Sequence, residues 1–276
     1  MRRLNNQYVI GQNLNAGGTA TVYFGINQYN GFPVAIKELN PRLFADPAML
    51  AMFKGEANRY LYLDHKNIVK LEDLILLEGE DTGYLIMEYI EGDNLKDYLR
   101  KMTGAMPITM AAAFMMEALE ALSFAHKQGV VHLDIKPGNI MLCNKTHNIK
   151  LIDFGISIEL SKQRDNLVMG TPYYMSPEQL TGQDIVDFRS DIYSVGITFY
   201  ELIKGKTPFS HSQTKEELKT NIQNVKVPLI VEAAFPVETK LLPLVNKIIQ
   251  KATEKNPKDR YSSCERFKNE LSLLVA

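Results

Sequence analysis

Apolar and polar residues alternate along the first third of the chain in the short runs that are typical of β-strands. Runs rich in β-branched and aromatic residues fill positions 7–40, with glycine- and asparagine-containing turns between them. Apolar residues at helical spacing then predict a helix over 47–63. Its apolar face comprises Met49, Phe53, Ala57 and Tyr60. Two more strand-like runs follow at 68–77 and 84–90, so we expect a β-rich lobe with one main helix.

Beyond residue 91 the spacing of apolar residues becomes mostly helical, and a short β-hairpin interrupts the helices. The predicted helices are 95–102, 109–126, 191–203 and 241–253. The predicted hairpin strands are 139–143 and 149–152. The fold class is therefore predicted to be α+β and bilobal. A small antiparallel β lobe with one main helix (1–90) precedes a larger, mostly helical lobe (91–276).

Composition and charge narrow the classes of function. The formal net charge of −1 and a pI near 6.5 give no long-range field for nucleic acid or an anionic membrane. The two cysteines, Cys143 and Cys264, form no disulfide framework and no metal-ligand motif. No apolar run approaches the ~18 residues of a spanning helix, and the first residues lack a signal-peptide pattern. We therefore predict a cytoplasmic domain that binds no nucleic acid and makes no direct membrane contact.

Candidate chemistry concentrates around the predicted hairpin. The segment 132–139 carries Asp134, Lys136 and Asn139 between an apolar helix and an apolar strand, where unpaired polar groups are costly. Asp153 follows the second hairpin strand, and a hairpin of this length returns the chain near its start. Two carboxylates and an amide oxygen should therefore converge, and such hard oxygen ligands suit Mg²⁺.

A second candidate element lies in the predicted β lobe. The turn at 15–20 consists of small residues, so that bare backbone and exposed N–H groups could approach phosphate oxygens there. Lys37 stands alone in an apolar strand, on the same face as Ala35. A buried lysine needs a partner, and Glu56 on the following helix is the obvious one.

The ordered set of these motifs resembles the eukaryotic-type (Hanks-type) protein kinases, and in particular their bacterial serine/threonine branch, over residues 8–274. The resemblance implies transfer of the γ-phosphoryl group of ATP to a serine or threonine of a protein substrate, with Mg²⁺ (or Mn²⁺). A second copy of the chain is a further candidate partner, through homodimerisation or autophosphorylation.

The resemblance also implies individual roles. In the catalytic loop (132–139), Asp134 would accept the proton of the substrate hydroxyl and Lys136 would neutralise charge on the moving phosphoryl group. Lys37, paired with Glu56, would hold the α- and β-phosphates. The implied nucleotide-binding residues are Leu14, Asn15, Ala16, Gly17, Gly18, Thr19, Ala20, Val22, Ala35, Lys37, Met87, Glu88 and Ile90.

Further implied roles concern the metal, the substrate and the scaffold. Asn139 and Asp153 would hold the metal ion. Thr171 and Glu178 would position the substrate, with Glu178 paired to Arg260. Asp191 would brace the backbone of the catalytic loop.

The sequence departs from the family pattern at three places. Of the three glycines of the glycine-rich loop it keeps Gly17, which predicts weakened nucleotide binding. Leu133 stands where the family has an arginine that binds a phosphorylated activation loop. Residues 158–169 carry a single hydroxyl, Ser161, so we expect activity that does not depend on phosphorylation of this loop. Tyr193 stands where the family usually has tryptophan, and is interpreted as a packing substitution.

Two other functions stay open at this point. A pseudokinase, which binds without catalysing, is favoured by Asn15, Ala20 and Leu133, but the six polar residues assigned to catalysis and metal binding oppose it. A small-molecule kinase is opposed by the peptide-positioning segment 171–178. Taken singly, each motif also has a structural explanation, such as an ion pair between Lys37 and Glu56 or a turn-forming role for Asp134.

Overall fold

A computed structural model describes residues 2–77, 82–102, 104–154, 158–159, 172–182 and 186–275. The chain forms two compact units, Met1–Glu91 and Gly92–Ala276. The first contains an antiparallel sheet and the second is mostly helical, so the predicted α+β, bilobal class is confirmed. The division falls one residue from the boundary that the change of pattern predicts.

The N-terminal unit is built on a six-stranded antiparallel sheet in the order β1-β2-β3-β4-β6-β5. Its strands are β1 (Arg2–Leu4), β2 (Tyr8–Ala16), β3 (Ala20–Asn27), β4 (Pro33–Leu39), β5 (Leu71–Leu77) and β6 (Thr82–Glu88). Sequence reasoning missed β1, because three residues are too few to show alternation. The strand is nevertheless anchored, since Arg2 forms an ion pair with Glu38 at 2.9 Å and Leu4 is buried.

The two faces of β4 carry different contacts. Val34 and Ile36 point into an apolar cluster that also contains Leu4. Leu39, on the opposite face, packs with Phe53. Two helices follow this strand, α1 (Pro41–Phe44) and α2 (Pro47–Tyr60). Asp46 caps α2 by accepting the backbone N–H groups of its first turn, and proline occupies the first helical position, where its missing N–H costs nothing.

The C-terminal unit contains mostly helices, with short strands between them. Its helices are α3 (Leu95–Lys101), α4 (Ile108–Lys127), α5 (Pro177–Thr181), α6 (Phe188–Lys204), α7 (Lys215–Asn224), α8 (Leu242–Ala252) and α9 (Cys264–Ser272). Its strands are β7 (Gly92–Asn94), β8 (Val130–Val131), β9 (Ile140–Cys143), β10 (Ile149–Leu151) and β11 (Ile158–Glu159). The predicted hairpin is present as the antiparallel pair β9 and β10.

Helix α4 is the central core element of this unit. It packs against α6 and α9, and it buries Met115, Leu119 and Leu122 completely. Its 20 residues have a mean hydropathy of 1.4 over the most apolar 18-residue window, with half of that window buried. By length and composition alone this helix could therefore cross a membrane, so the expectation that no run approaches that length was wrong. Its burial within the unit is that of a core helix.

Candidate active site

The catalytic loop brings three of the predicted side chains together. Nζ of Lys136 lies 2.6 Å from Oδ2 of Asp134, and Nδ2 of Asn139 donates to the same oxygen at 2.8 Å. Nδ2 of Asn139 also donates to the Asp134 carbonyl at 2.9 Å. The Asp134 side chain is 11% exposed, so its carboxylate lies at a partly open position and is held by two donors. Its Oδ1 is the oxygen left to accept a proton from a ligand.

The β9–β10 hairpin returns the chain to the catalytic loop, as its length predicts. The N–H of Ile152 donates to the carbonyl of Asn139 at 3.0 Å, which places the next residue, Asp153, beside the loop. Asp153 has a φ of +65°, an uncommon backbone conformation for a residue other than glycine. Such strain is held in place only where the surrounding contacts dictate it, and it is often found at functional sites.

The oxygen ligands near this hairpin suit a divalent metal ion. Because Nδ2 of Asn139 donates to Asp134, Oδ1 of Asn139 is the atom available to bind a cation. This amide oxygen and the Asp153 carboxylate are hard donors of the kind that Mg²⁺ prefers, with phosphate oxygens as further ligands. Among the described residues there is no group of three or more histidine, cysteine, aspartate or glutamate side chains that could hold an ion. The Asn139 amide oxygen and the Asp153 carboxylate fit a metal ion that takes phosphate oxygens as its other ligands.

Asp191 braces the catalytic loop from α6. Its carboxylate is fully buried and accepts the backbone N–H of His132 at 2.9 Å and that of Leu133 at 2.7 Å. Burial by itself raises the pKa of Asp191, but the hydrogen bond from His126 and the nearby N–H groups outweigh it, so the pKa stays below its ordinary value. The ionised carboxylate holds Leu133 at a φ of +67°, directly before Asp134.

His132 has a structural place in the loop. Its Nε2 lies 3.1 Å from the carbonyl oxygen of Ile152, and its ring packs against that of Phe154, with ring centroids 4.5 Å apart. The imidazole therefore ties the loop to the end of the hairpin that carries Asp153.

Glu178 and Arg260 form the predicted ion pair. The guanidinium donates to both carboxylate oxygens at 2.7 Å, and both side chains are buried. Burial raises the pKa of Glu178, but the hydrogen bonds and charge of Arg260 dominate and hold the pKa below its usual range. Ser190 donates to Glu178 at 2.6 Å, and Arg260 also donates to the Arg189 carbonyl at 2.8 Å. The segment that would position a peptide is thus fixed to the helical core.

In the N-terminal unit, Lys37 and Glu56 form the second predicted ion pair. Nζ of Lys37 lies 2.8 Å from Oε1 and 2.9 Å from Oε2 of Glu56. The side chains are 13% and 4% exposed, so the pair is largely shielded from water. The register of the sheet places Lys37 opposite Val22 of β3 and Leu85 of β6, on the side that faces α2.

The glycine-rich turn is a tight hairpin between β2 and β3. The N–H of Gly17 donates to the carbonyl of Ala20 at 2.9 Å. The N–H of Asn40 donates to the carbonyl of Thr19, also at 2.9 Å. Asn15 is paired in β2 and, like Gly17 and Gly18, does not adopt a positive φ. A Cβ added at Gly18 would meet nothing within 4 Å, so the turn is open at this position.

Other predicted nucleotide-binding residues fall on neighbouring strands. Ala35 pairs with Met87 across β4 and β6, and Lys37 follows two residues further along the same face. Glu88 accepts the Lys70 N–H at 2.9 Å through its side chain, so that side chain is engaged. Ile90 is buried. Residues Leu14 to Thr19 are exposed, and Ala20 is buried.

Two predictions fall on residues outside the described part of the chain. These are the positioning role of Thr171 and the single hydroxyl, Ser161, of the 158–169 segment.

Sequence reasoning missed several residues that shape the site. Nε2 of Gln179 donates to the Leu133 carbonyl at 3.0 Å, while its Oε1 accepts the N–H of Ser176 at 3.1 Å. Gln179 therefore links the peptide-positioning segment to the catalytic loop. The sequence did contain a signal for Gln179. It stands three residues after Ser176, and Ser-x-x-Gln is the pattern of a capping box at the start of a helix. Tyr174 donates to Glu201 at 2.6 Å, a contact across 27 residues that no local pattern reveals.

Comparison with known proteins agrees with this geometry. The protein kinase domain family matches residues 8–271. The serine/threonine-protein kinase PksC of Streptomyces coelicolor is 36% identical over 98% of the chain and 49% of its own length. The probable serine/threonine-protein kinase PknB of Bifidobacterium longum is 33% identical over 96% of the chain and 39% of its own length. The corresponding PknB of Mycobacterium leprae is 32% identical over 97% of the chain and 43% of its own length.

The chain belongs to the protein kinase family. Within it, the chain is similar to bacterial serine/threonine kinases, which confirms the resemblance and its branch. This family uses ATP with a divalent metal ion. The chain spans less than half the length of these relatives.

Proposed function

We propose that this domain transfers the γ-phosphoryl group of Mg²⁺–ATP to serine or threonine hydroxyls of protein substrates. The observation that carries the proposal is the convergence of Lys136 and Asn139 on one oxygen of Asp134, at 2.6 and 2.8 Å. A turn former would not need two polar partners on one carboxylate oxygen. A pseudokinase would have no use for this arrangement.

The residues of the loop divide the chemistry between them. Oδ1 of Asp134 accepts the proton as the substrate oxygen bonds to the γ-phosphorus and the bond from phosphorus to the ADP oxygen breaks. Lys136 offsets charge on the phosphoryl oxygens, and Lys37, held by Glu56, fixes the other phosphates. Asn139 and Asp153 would hold the metal ion, which supplies charge neutralisation on the phosphates when bound.

We further propose that activity does not depend on phosphorylation of the activation loop. Leu133 supports this proposal, since its side chain is apolar and 9% exposed and cannot bind a phosphate. Its main-chain atoms are held by Asp191 and Gln179. The loop conformation is thus stabilised by partners that need no phosphorylation.

The first experiment measures transfer from γ-labelled ATP to the chain itself and to a basic acceptor protein, with Mg²⁺ and with Mn²⁺. Asp134→Asn should remove at least about 99% of the turnover while nucleotide affinity stays within about twofold, because general-base catalysis contributes ~10²–10⁴. The exposed Asp64→Asn is the matched control. Label on serine or threonine that persists in Asp134→Asn would contradict the proposal.

The second experiment tests regulation. Ser161→Ala should keep turnover within about twofold of the wild type, since the proposed mechanism assigns this hydroxyl no role. Treatment of the wild-type protein with a phosphatase should likewise leave its turnover unchanged. A large loss in either case would show that the loop must be phosphorylated.

We also propose that the domain works in the reducing cytoplasm, without nucleic acid or direct membrane contact. Cys143 and Cys264 are both free, which supports a reducing setting. Fractionation of cells, with detection of both soluble and membrane-bound protein, tests the location. Autophosphorylation on a second copy would appear as a rate per molecule that rises with protein concentration.

A further inference from the structure

Three side chains from three helices form a hydrogen-bonded line behind the catalytic loop. Sγ of Cys264, the first residue of α9, lies 3.5 Å from Nδ1 of His126, near the end of α4. Nε2 of the same imidazole lies 2.8 Å from Oδ2 of Asp191 in α6. Cys264 and Asp191 are fully buried, and the His126 side chain is 11% exposed. The line therefore runs through the dry interior of the C-terminal unit.

Hydrogen-bond chemistry assigns the protons along this line. The pKa of Asp191 is below its ordinary value, so its carboxylate is an acceptor and Nε2 of His126 must carry the hydrogen that it donates. Burial, with the charges of Asp191 and Glu265, raises the pKa of the Cys264 thiol well above its usual range, so sulfur keeps its hydrogen. That S–H donates to Nδ1, which must then be an acceptor.

Two neighbouring helices supply the groups that face His126. Asp191 faces the imidazole from α6, and Phe188 of the same helix packs against the ring at 5.8 Å between centroids. From α9, Glu265 lies next to Cys264 but is paired with Lys127 at 3.1 Å and accepts from Ser123. The S–H of Cys264 is thus the group from α9 that faces Nδ1.

The state of His126 matters because Asp191 holds the catalytic loop. One carboxylate oxygen accepts from both His126 and the N–H of His132, and the other accepts from the N–H of Leu133. These bonds maintain Leu133 at a φ of +67°, one residue before Asp134. Backbone in this region costs ~1–3 kcal/mol for a residue other than glycine unless its surroundings enforce it. Loss of the correct orientation of Asp191 would let the loop relax.

We propose that Cys264 is a positioning residue of the catalytic loop: its thiol donates to Nδ1 and orients the His126 imidazole so that Nε2 donates to Asp191, which then holds the loop with Asp134 in place. The effect of Cys264 on turnover rests on the proposed kinase activity, whereas its effect on His126 and on the loop backbone does not. The proposal assigns a role to α9, which supplies none of the residues of the candidate active site.

The experiment compares Cys264→Ser, which retains a donor, with Cys264→Val, which fills the space without one. Cys264→Ala replaces the valine variant if valine is not accommodated. Cys143→Ser, at the half-buried second cysteine, is the control for loss of a thiol. Urea unfolding of each variant measures the general cost of the substitution.

Histidine ¹⁵N chemical shifts report the hydrogen bonding of each ring nitrogen of His126, and hydrogen exchange of the His132 and Leu133 amides reports whether Asp191 still holds the loop. We expect the Nδ1 shift to change in the valine variant, because Nδ1 loses its donor, and we expect these amides to exchange faster. We expect kcat to fall by about tenfold, less than the ~10² that a displacement of one ångström can cost, with an unchanged KM for ATP. The serine variant should match the wild type in all three measurements.

The outcomes separate this inference from the proposed activity. A wild-type chain that transfers no phosphate would contradict the kinase proposal, while the ¹⁵N shift and amide measurements would still test the role of Cys264. If the valine variant shows the wild-type His126 ¹⁵N shifts and the wild-type amide exchange, Cys264 does not position the loop and the inference is wrong. The same holds if serine and valine variants lose turnover equally.

Discussion

The carboxylate of Glu238 caps a helix that begins 130 residues earlier in the chain. Its Oε2 accepts the N–H of Ile108 at 2.7 Å, and its Oε1 accepts the N–H of Thr109 at 3.1 Å. Helix α4 starts at a proline-preceded residue and has no side-chain cap of its own. Glu238 is 8% exposed, so water cannot easily replace it, and its negative charge meets the positive end of the helix dipole.

Glu238→Ala should therefore lower the free energy of unfolding by about 1–2 kcal/mol, the cost of losing a good helix cap. Urea unfolding followed by circular dichroism measures it. The exposed Glu232→Ala is the matched control. Turnover per folded molecule should stay unchanged, since Glu238 touches none of the predicted catalytic residues. Wild-type stability in the Glu238 variant would show that the cap contributes nothing.

Glu56→Gln should lower kcat/KM for ATP by at least about tenfold, because Lys37 loses the charge that fixes its position. The substitution keeps the shape of the side chain, removes its charge and replaces one of the two accepting oxygens by an NH₂ donor. Steady-state kinetics at varied ATP measures the effect, with Glu232→Gln as the control. If Glu56→Gln retains the wild-type kcat/KM, the ion pair is a purely structural contact.

Tyr193→Phe should leave the free energy of unfolding unchanged or raise it by up to about 1–2 kcal/mol. The Tyr193 hydroxyl is buried, and it has no hydrogen-bond partner among the residues that the structure describes. Removing it deletes an unsatisfied polar group but keeps the ring, which lies 5.0 Å from the Arg260 guanidinium.

Tyr193→Leu, which removes the ring as well, is the comparison variant. It should lose about 2–4 kcal/mol, since a large buried side chain is truncated. In thermal and urea unfolding, the phenylalanine variant should be at least as stable as the wild type, and the leucine variant should be less stable than both. A marked loss in the phenylalanine variant would reveal a partner for the hydroxyl.

Lys255 should make stability rise with pH in the alkaline range. Burial and the charge of Arg260 lower the pKa of Lys255 from 10.5 to about 8. Between these values the folded chain binds fewer protons at Lys255 than the unfolded chain does, so the free energy of unfolding increases as pH rises from about 8 to about 10.5. Below pH 8 the buried amine of Lys255 is protonated in the folded chain, and the full cost of burying this charge lowers the free energy of unfolding.

Urea unfolding at several pH values isolates this effect as a difference between two proteins. Lys255→Met should show a shallower rise in stability than the wild type over that range. Lys251→Met, at an exposed position of α8, should follow the wild type. Parallel curves for wild type and Lys255→Met would mean that Lys255 has an ordinary pKa.

The sequence allowed most of the long elements and the motif residues to be predicted, because periodicity and local spacing are sequence properties. The contact of Glu178 with Arg260 followed from the family pattern, and that of Lys37 with Glu56 followed from the need of a buried lysine for a partner. The cap provided by Glu238 and the contact of Cys264 with His126 join residues 130 and 138 positions apart, which no local pattern encodes. Short elements such as β1 and α5 also escaped, since tertiary contacts and capping rather than periodicity stabilise them.

The way Leu133 is held also bears on how this chain could evolve. Asp191 accepts the N–H of Leu133, and Gln179 donates to its carbonyl. Every residue type except proline has both of these backbone groups. The identity of the side chain at this position is thus uncoupled from the geometry of the loop. Since some leucine and arginine codons differ by one base, a lineage could gain or lose a phosphate-sensing residue here in a single mutational step. Control by phosphorylation could then be gained or lost while the other residues of the catalytic loop stay the same.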